Sequence, residues 1–176
     1  MACSHMFYMI RRFSAICIAF MPFNSLRCLF YRCLGYHISS SRIGWGTVIA
    51  INKLEMCNAM IGRYNKIIGP FTIEMKKKSA IGSNNNIVCG LWAIDKDHER
   101  FNYQRTLILE EGSTITSHHW LDVVDLIRIG KESYIAGIGS QFWTHGFSSD
   151  QRDINIGIDC YIGSSCIFTP GSGVQE

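Results

Sequence analysis

Ile129-Gly130-Lys131-Glu132-Ser133-Tyr134-Ile135-Ala136-Gly137-Ile138-Gly139-Ser140, with the run that follows it to Val174, decides the fold, because its key positions recur every six residues. Ile129, Ile135 and Gln141 form one set, and after a break Ile156, Ile162, Phe168 and Val174 form another. A period of six suits neither a lone helix nor an ordinary alternating strand. It is the self-similarity of a solenoid in which each repeat supplies one short strand and one corner, a parallel β-helix. The break, Phe142-Trp143-Thr144-His145-Gly146 and a polar loop to Asn155, is where chemistry is expected.

Working outward, the same period begins at Ile43. Three hexads per coil place coil starts at Ile43, Ile61, Ile81, Leu109, Ile129, Ile156 and Val174. Gly44, Gly62, Gly82, Gly130 and Gly157 follow five of them, as expected where a side chain would crowd the next coil. The fifth place of these hexads holds Thr47, Asn65, Asn85, Ser113, Ser133 and Cys160, all small enough for a tight corner. Two insertions depart from the series, Leu91 to Arg105 and Gly146 to Asn155, and insertions in a solenoid emerge at corners and commonly form its binding face.

Ahead of the repeats, residues 6 to 36 read as helical. Pro22 and Asn24 punctuate them, and Leu26, Leu29, Phe30, Cys33 and Leu34 then recur at helical spacing up to Gly35. Two roles fit this segment: a cap over the open first coil, or a peripheral contact with a membrane surface. The division expected is a helical segment over 1–40 and a β-helical domain over 41–176, all-β in class.

Whole-chain properties narrow the field. A length of 176 residues suits one domain with a small appendage, and 16 Gly against 3 Pro suits many corners. A formal charge of +3 is too small to argue for nucleic acid, and Lys76-Lys77-Lys78 reads as a solvated corner. The 8 cysteines include no C-x-x-C pair, which points to a reducing, cytoplasmic setting and to no structural zinc. The apolar run from Phe13 to Phe23 is about half the ~20 residues of a membrane-spanning helix.

The residues Ile129 to Gly146, the later Ile156-Gly157-Ile158-Asp159-Cys160-Tyr161-Ile162-Gly163-Ser164-Ser165-Cys166-Ile167-Phe168-Thr169-Pro170-Gly171, and the lead-in Leu26 to Gly35 resemble the hexapeptide-repeat acyltransferases. The nearer likeness is to the O-acetyltransferases of bacterial surface-polysaccharide synthesis. The resemblance implies a left-handed parallel β-helix assembled as a homotrimer, with acetyl-CoA as acyl donor and no metal. It also implies a saccharide acceptor and a histidine general base.

By that resemblance His145 is the base, and imidazole suits the task because it titrates near neutrality. The hexad count sets Asp125 beneath His145 if the added pair Ile127-Arg128 bulges out, so Asp125, or else Asp122, is expected to hold the ring and steady its cation. His118, His119 and Asp122, on the coil before the base, are expected to hold the acceptor. Ser164, Gly163 and Trp143 are expected to lie along the cofactor. Family members usually continue past Pro-Gly with a further coil, so the stop at Val174-Gln175-Glu176 implies a truncated final coil. A non-catalytic β-helical scaffold, and a zinc hydratase using His118, His119 and His145, are the rival readings.

Overall fold

The computed structural model describes residues 2–146 and 150–175. Two helices, α1 (Ala2–Ala19) and α2 (Asn24–Cys33), precede a parallel β structure whose strands form an 11-stranded and a 6-stranded sheet. Every strand pairing between them is parallel. No edge-to-edge hairpin can produce that pattern, because parallel neighbours need a connection that travels round and returns.

Four inward columns run through the stack. Ile43, Ile61, Ile81, Ile115, Ile135 and Ile162 form the first. Ile49, Ile67, Ile87, Leu121, Phe142 and Phe168 form the second. Met56, Met75, Leu109, Ile129, Ile156 and Val174 form the third. A fourth, Leu54, Ile73, Leu107, Ile127 and Ile154, runs beside the third on the same face, so at least one residue per hexad enters a shared apolar interior and the third face supplies two.

This arrangement corrects the expected register. Ile81 is followed in its column by Ile115, whereas Leu109 stacks on Met75. Ile43, Ile61 and Ile81 therefore belong to one column, and Leu109, Ile129, Ile156 and Val174 to another. The cause is the insertion at Leu91 to Arg105, which leaves the stack between second and third columns. With an aliphatic residue at each hexad, a slip of one whole hexad leaves the pattern unchanged. A smaller slip occurs at Gly139-Ser140, where one extra residue turns Gln141 outward and sends Phe142 into the core, stacked 4.6 Å from Phe168.

Glycines stand where coils touch. A Cβ on Gly62 would lie 2.5 Å from the carbonyl oxygen of Gly82, and one on Gly130 would lie 2.0 Å from that of Gly157. Corners are equally regular. Ser40, Asn58, Lys78, Gly112, Glu132 and Asp159 share left-handed backbone at one edge of the stack. Lys76, Lys77 and Lys78 are an exposed corner of that row.

The helices cap the first coil with an unexpected face. In α2 it is Arg27, Cys28 and Tyr31 that are buried, while Leu26, Leu29, Phe30 and Cys33 face outward. An open parallel coil presents unpaired peptide groups, so the cap must supply hydrogen bonds before it supplies grease. Arg27 Nε donates to the Ile43 carbonyl at 3.0 Å, Asn24 Oδ1 accepts from the Ile43 N–H at 2.9 Å, and Tyr31 Oη donates to the Thr47 carbonyl at 2.8 Å. Tyr36 Oη bridges both peptide groups of Ile51 at 3.0 Å. Helical structure ends at Cys33, and the strand His37–Ser39 already pairs with Val48–Cys57.

Candidate functional site

His145 follows the strand Gln141–Trp143 at the corner between second and third columns. Its Nδ1 is hydrogen-bonded to Oδ2 of Asp122, which ends the strand Trp120–Asp122 on the coil below. The imidazole side chain is 49% exposed and the carboxylate side chain 10%. Among the described residues Nε2 has no hydrogen-bond partner, so the ring is held at one nitrogen and presents the other outward. A carboxylate accepting from Nδ1–H leaves the lone pair on Nε2, the tautomer a general base requires.

Aromatic rings wall this imidazole. Trp143 meets it edge-on at 5.9 Å and stacks in turn on Trp120 at 6.1 Å. Trp92, from the insertion, approaches at 6.3 Å. That insertion forms two short 3-10 turns, Leu91–Ile94 and Lys96–Phe101, and Arg105 Nη1 ties back to the Ala93 carbonyl at 3.0 Å. Trp92 was not among the expected site residues, although its loop was marked as a departure from the repeat.

Burial raises the Asp122 carboxyl above its ordinary value of 3.8, against the opposing pull of the bond to His145. Cys89 lies buried near the same carboxylate, and burial pushes its thiol up to about 12. It is therefore an inert packing residue.

Asp125 is not beneath His145. The register sets Leu121 opposite Phe142, one residue beyond the hexad count, and Ile127 and Arg128 lie in the regular strand Leu126–Ile129 without bulging out. Asp125 instead accepts from Arg152 Nε at 3.0 Å and from the Gln104 backbone N–H at 3.1 Å, both side chains of the ion pair being buried. Arg152 also donates to the Phe101 carbonyl at 3.0 Å and lies 5.1 Å from the Tyr103 ring. The Asp125–Arg152 pair thus pins the two insertions together. Arg152 and Gln104 carried no sequence signal beyond lying in or beside those loops.

His119 also departs from expectation, since its ring is interior and cannot reach an acceptor. Its Nδ1 accepts from the Ser140 N–H at 3.1 Å, and Nε2 lies 2.8 Å from Thr116 Oγ1. It is one rung of a corner ladder. Thr47 Oγ1 accepts the Asn65 N–H, Asn65 Oδ1 the Asn85 N–H, Asn85 Oδ1 the His119 N–H, His119 Nδ1 the Ser140 N–H, and Ser140 Oγ the Cys166 N–H. His118, at φ 63°, is a corner residue of the same edge.

The His119 rung has a pH signature. Desolvation lowers its pKa below the ordinary 6.5, because a buried cation would lose its water. A depressed folded value means that the unfolded chain binds the proton first. The rung's contribution is therefore complete above 6.5 and declines as pH falls from there toward the folded ring's own pKa. His119→Asn, which restores the residue of the two preceding rungs, is expected to flatten that decline. Urea midpoints from pH 7.5 to 5 check it, and parallel curves for both proteins would contradict it.

Ser164 and Gly163 lie at the far end of the second column from His145. Ser164 Oγ accepts the Ile138 N–H at 3.3 Å, and nothing lies within 4 Å of a Cβ built on Gly163. Within one chain, then, the structure brings together His145, Asp122 and Trp143, adds Trp92, and leaves Asp125, His118, His119, Ser164 and Gly163 elsewhere. Among the described residues no group of three or more His, Cys, Asp or Glu side chains is arranged to hold a metal ion. Comparison with protein-family models, with curated proteins and with solved structures finds no match, so the site is read from its own residues.

Proposed function

We propose that the chain is an acetyl-CoA-dependent acetyltransferase acting on a hydroxyl of a saccharide in cell-surface polysaccharide synthesis, with His145 as general base. The observation that carries this is the His145–Asp122 pair, an imidazole fixed through Nδ1 by a buried carboxylate with Nε2 turned outward between tryptophans. Nε2 takes the proton of the acceptor hydroxyl while its oxygen attacks the thioester carbonyl. The resulting tetrahedral oxyanion collapses, the carbon–sulfur bond breaks, and the imidazolium returns its proton to the departing thiolate. Asp122 stabilises that imidazolium, and Trp92 and Trp143 restrict water around it.

The resemblance supports a left-handed coil and a homotrimer. In such an assembly Ser164 and Gly163 of one copy would meet the His145 of a neighbour, which suits a site that a single chain leaves divided. Mass spectrometry of saccharides incubated with the chain and acetyl-CoA, alongside calorimetric titration of acetyl-CoA, tests the proposal. An acceptor gaining one acetyl group supports it. No heat of binding would leave the scaffold reading instead.

Asp122→Asn separates catalysis from stability. An amide can offer its N–H to Nδ1, which moves the ring proton to Nε2 and removes the base, so turnover is expected to fall about a hundredfold or more. Stability runs the other way. Because the folded carboxyl keeps its proton to higher pH than the unfolded one, ionised Asp122 costs stability as pH rises through and above 3.8. The variant should melt at or above the parent temperature at neutral pH, and a variant that melts well below the parent would show that Asp122 is held for folding.

A further inference from the structure

The outward face of the helical end does not fit a cap alone. Along α1 and the turn that ends it, Met6, Met9, Ile10, Phe13, Ile16 and Phe20 are exposed and recur at the three- and four-residue spacing of one helical stripe, with Met9 at 73% and Phe13 at 71%. The opposite stripe, Ala15, Ile18 and Ala19, is buried, so α1 is apolar on both sides and only one side has a partner. The exposed series continues through Phe23 to Leu26, Leu29 and Phe30 of α2. Contiguous exposed apolar surface of this kind marks an interaction site.

Charge indicates what covers it. Residues 1 to 54 contain six basic side chains, Arg11, Arg12, Arg27, Arg32, Arg42 and Lys53, and no acidic one. Of the 17 basic and 14 acidic residues in the chain, that leaves eleven basic against fourteen acidic for the remainder. Lys53 is paired with Glu55 at 2.8 Å, so the excess positive charge at the end that carries the apolar stripe is that of the arginines. Arg12 and Arg42 are exposed there, while Arg11 is engaged with the Leu34 carbonyl at 2.9 Å and the Tyr36 ring. A protein partner has no need of a one-signed field beside an apolar stripe, whereas an anionic bilayer offers phosphate over hydrocarbon.

We propose that α1 lies in the headgroup region of an anionic membrane, burying the stripe from Met6 to Phe20 with Arg12 at the phosphates. It lies on the bilayer and does not cross it. Among the described residues no helix is long and apolar enough to span a membrane, and Arg11 and Arg12 sit at mid-helix. This assignment is independent of the chemistry at His145.

Flotation of the full chain with vesicles of phosphatidylglycerol and phosphatidylcholine, and with phosphatidylcholine vesicles alone, tests the proposal. The chain is expected to float with the first and far less with the second. Arg12→Glu should lower partition to the anionic vesicles about twentyfold, since each cationic residue near such a surface contributes roughly fivefold. Phe13→Ser with Ile16→Ser should reduce it by about tenfold or more per side chain without lowering the melting temperature, as both residues are already exposed. Equal flotation with both vesicle types, or none with either, would overturn the proposal. So would absence of flotation together with an oligomer that Phe13→Ser and Ile16→Ser dissolve, which would mean that a second copy covers the stripe.

Discussion

His145→Ala is expected to lower acetyl transfer by about three orders of magnitude, within the 10²–10⁴ that a positioned general base contributes. Affinity for acetyl-CoA should stay within about twofold, and the chain should still fold, because the ring is half exposed and makes one side-chain bond. The substitution does remove the partner of a buried carboxylate. Asp122 then loses the interaction that opposes its desolvation, so its carboxyl should rise further and be neutral over a wider range. His145→Gln keeps a donor toward Asp122 yet cannot take a proton near neutrality, so it should match the Ala variant in turnover and the parent in melting. Steady-state release of free thiol, with melting curves for both variants, checks this. Turnover within a few-fold of the parent would remove the mechanism, whereas equal losses of activity and stability would make His145 a folding residue.

How far the chain could be read depended on which contacts are periodic. Ile129, Ile135, Ile156, Ile162 and Phe168 all enter the core because one inward residue per hexad is a requirement of every coil. The helical lead-in and both insertions were equally plain. What periodicity could not fix was phase. Leu109 and Ile115 are both aliphatic and six apart, so only the paired strands show that Ile115 follows Ile81. The single residue gained at Gly139-Ser140 had a larger consequence, since the register that sets Asp122 opposite Trp143 carries on to Val124, not Asp125, at the level of His145, and the carboxylate that reaches the ring is Asp122. Arg152 was invisible because it reaches the Asp125 corner from an aperiodic loop, whose path no repeat dictates. On α2 the apolar stripe pointed to the wrong face, as edge peptide groups needed Arg27 and Tyr31 more than the interior needed Leu29.

Asn85→Leu is expected to cost the fold about 4 kcal/mol, because it orphans one buried and one part-buried peptide group at roughly 1–3 kcal/mol each and overpacks the corner. Asn85 Oδ1 accepts the His119 N–H at 2.8 Å, and Nδ2 donates to the Thr116 carbonyl at 2.8 Å. The His119 N–H cannot turn to water, since Asn85 and His119 are both almost fully buried, whereas Thr116 is half-buried. Leucine matches the amide in branching but its methyl groups cannot approach either partner to hydrogen-bond distance, so overpacking of the closed corner adds to the loss of the two bonds. Total stabilities of ~5–15 kcal/mol make this a large share. With a urea slope of ~2 kcal/mol per molar, the midpoint should fall by about 2 M. Asn155→Leu, on an exposed strand position of a later coil, is the control and should move the midpoint by no more than about 0.5 kcal/mol equivalent. Equal shifts for the two variants would mean that the corner amide is ordinary surface chemistry, and that stacked aliphatic columns alone hold successive coils in register.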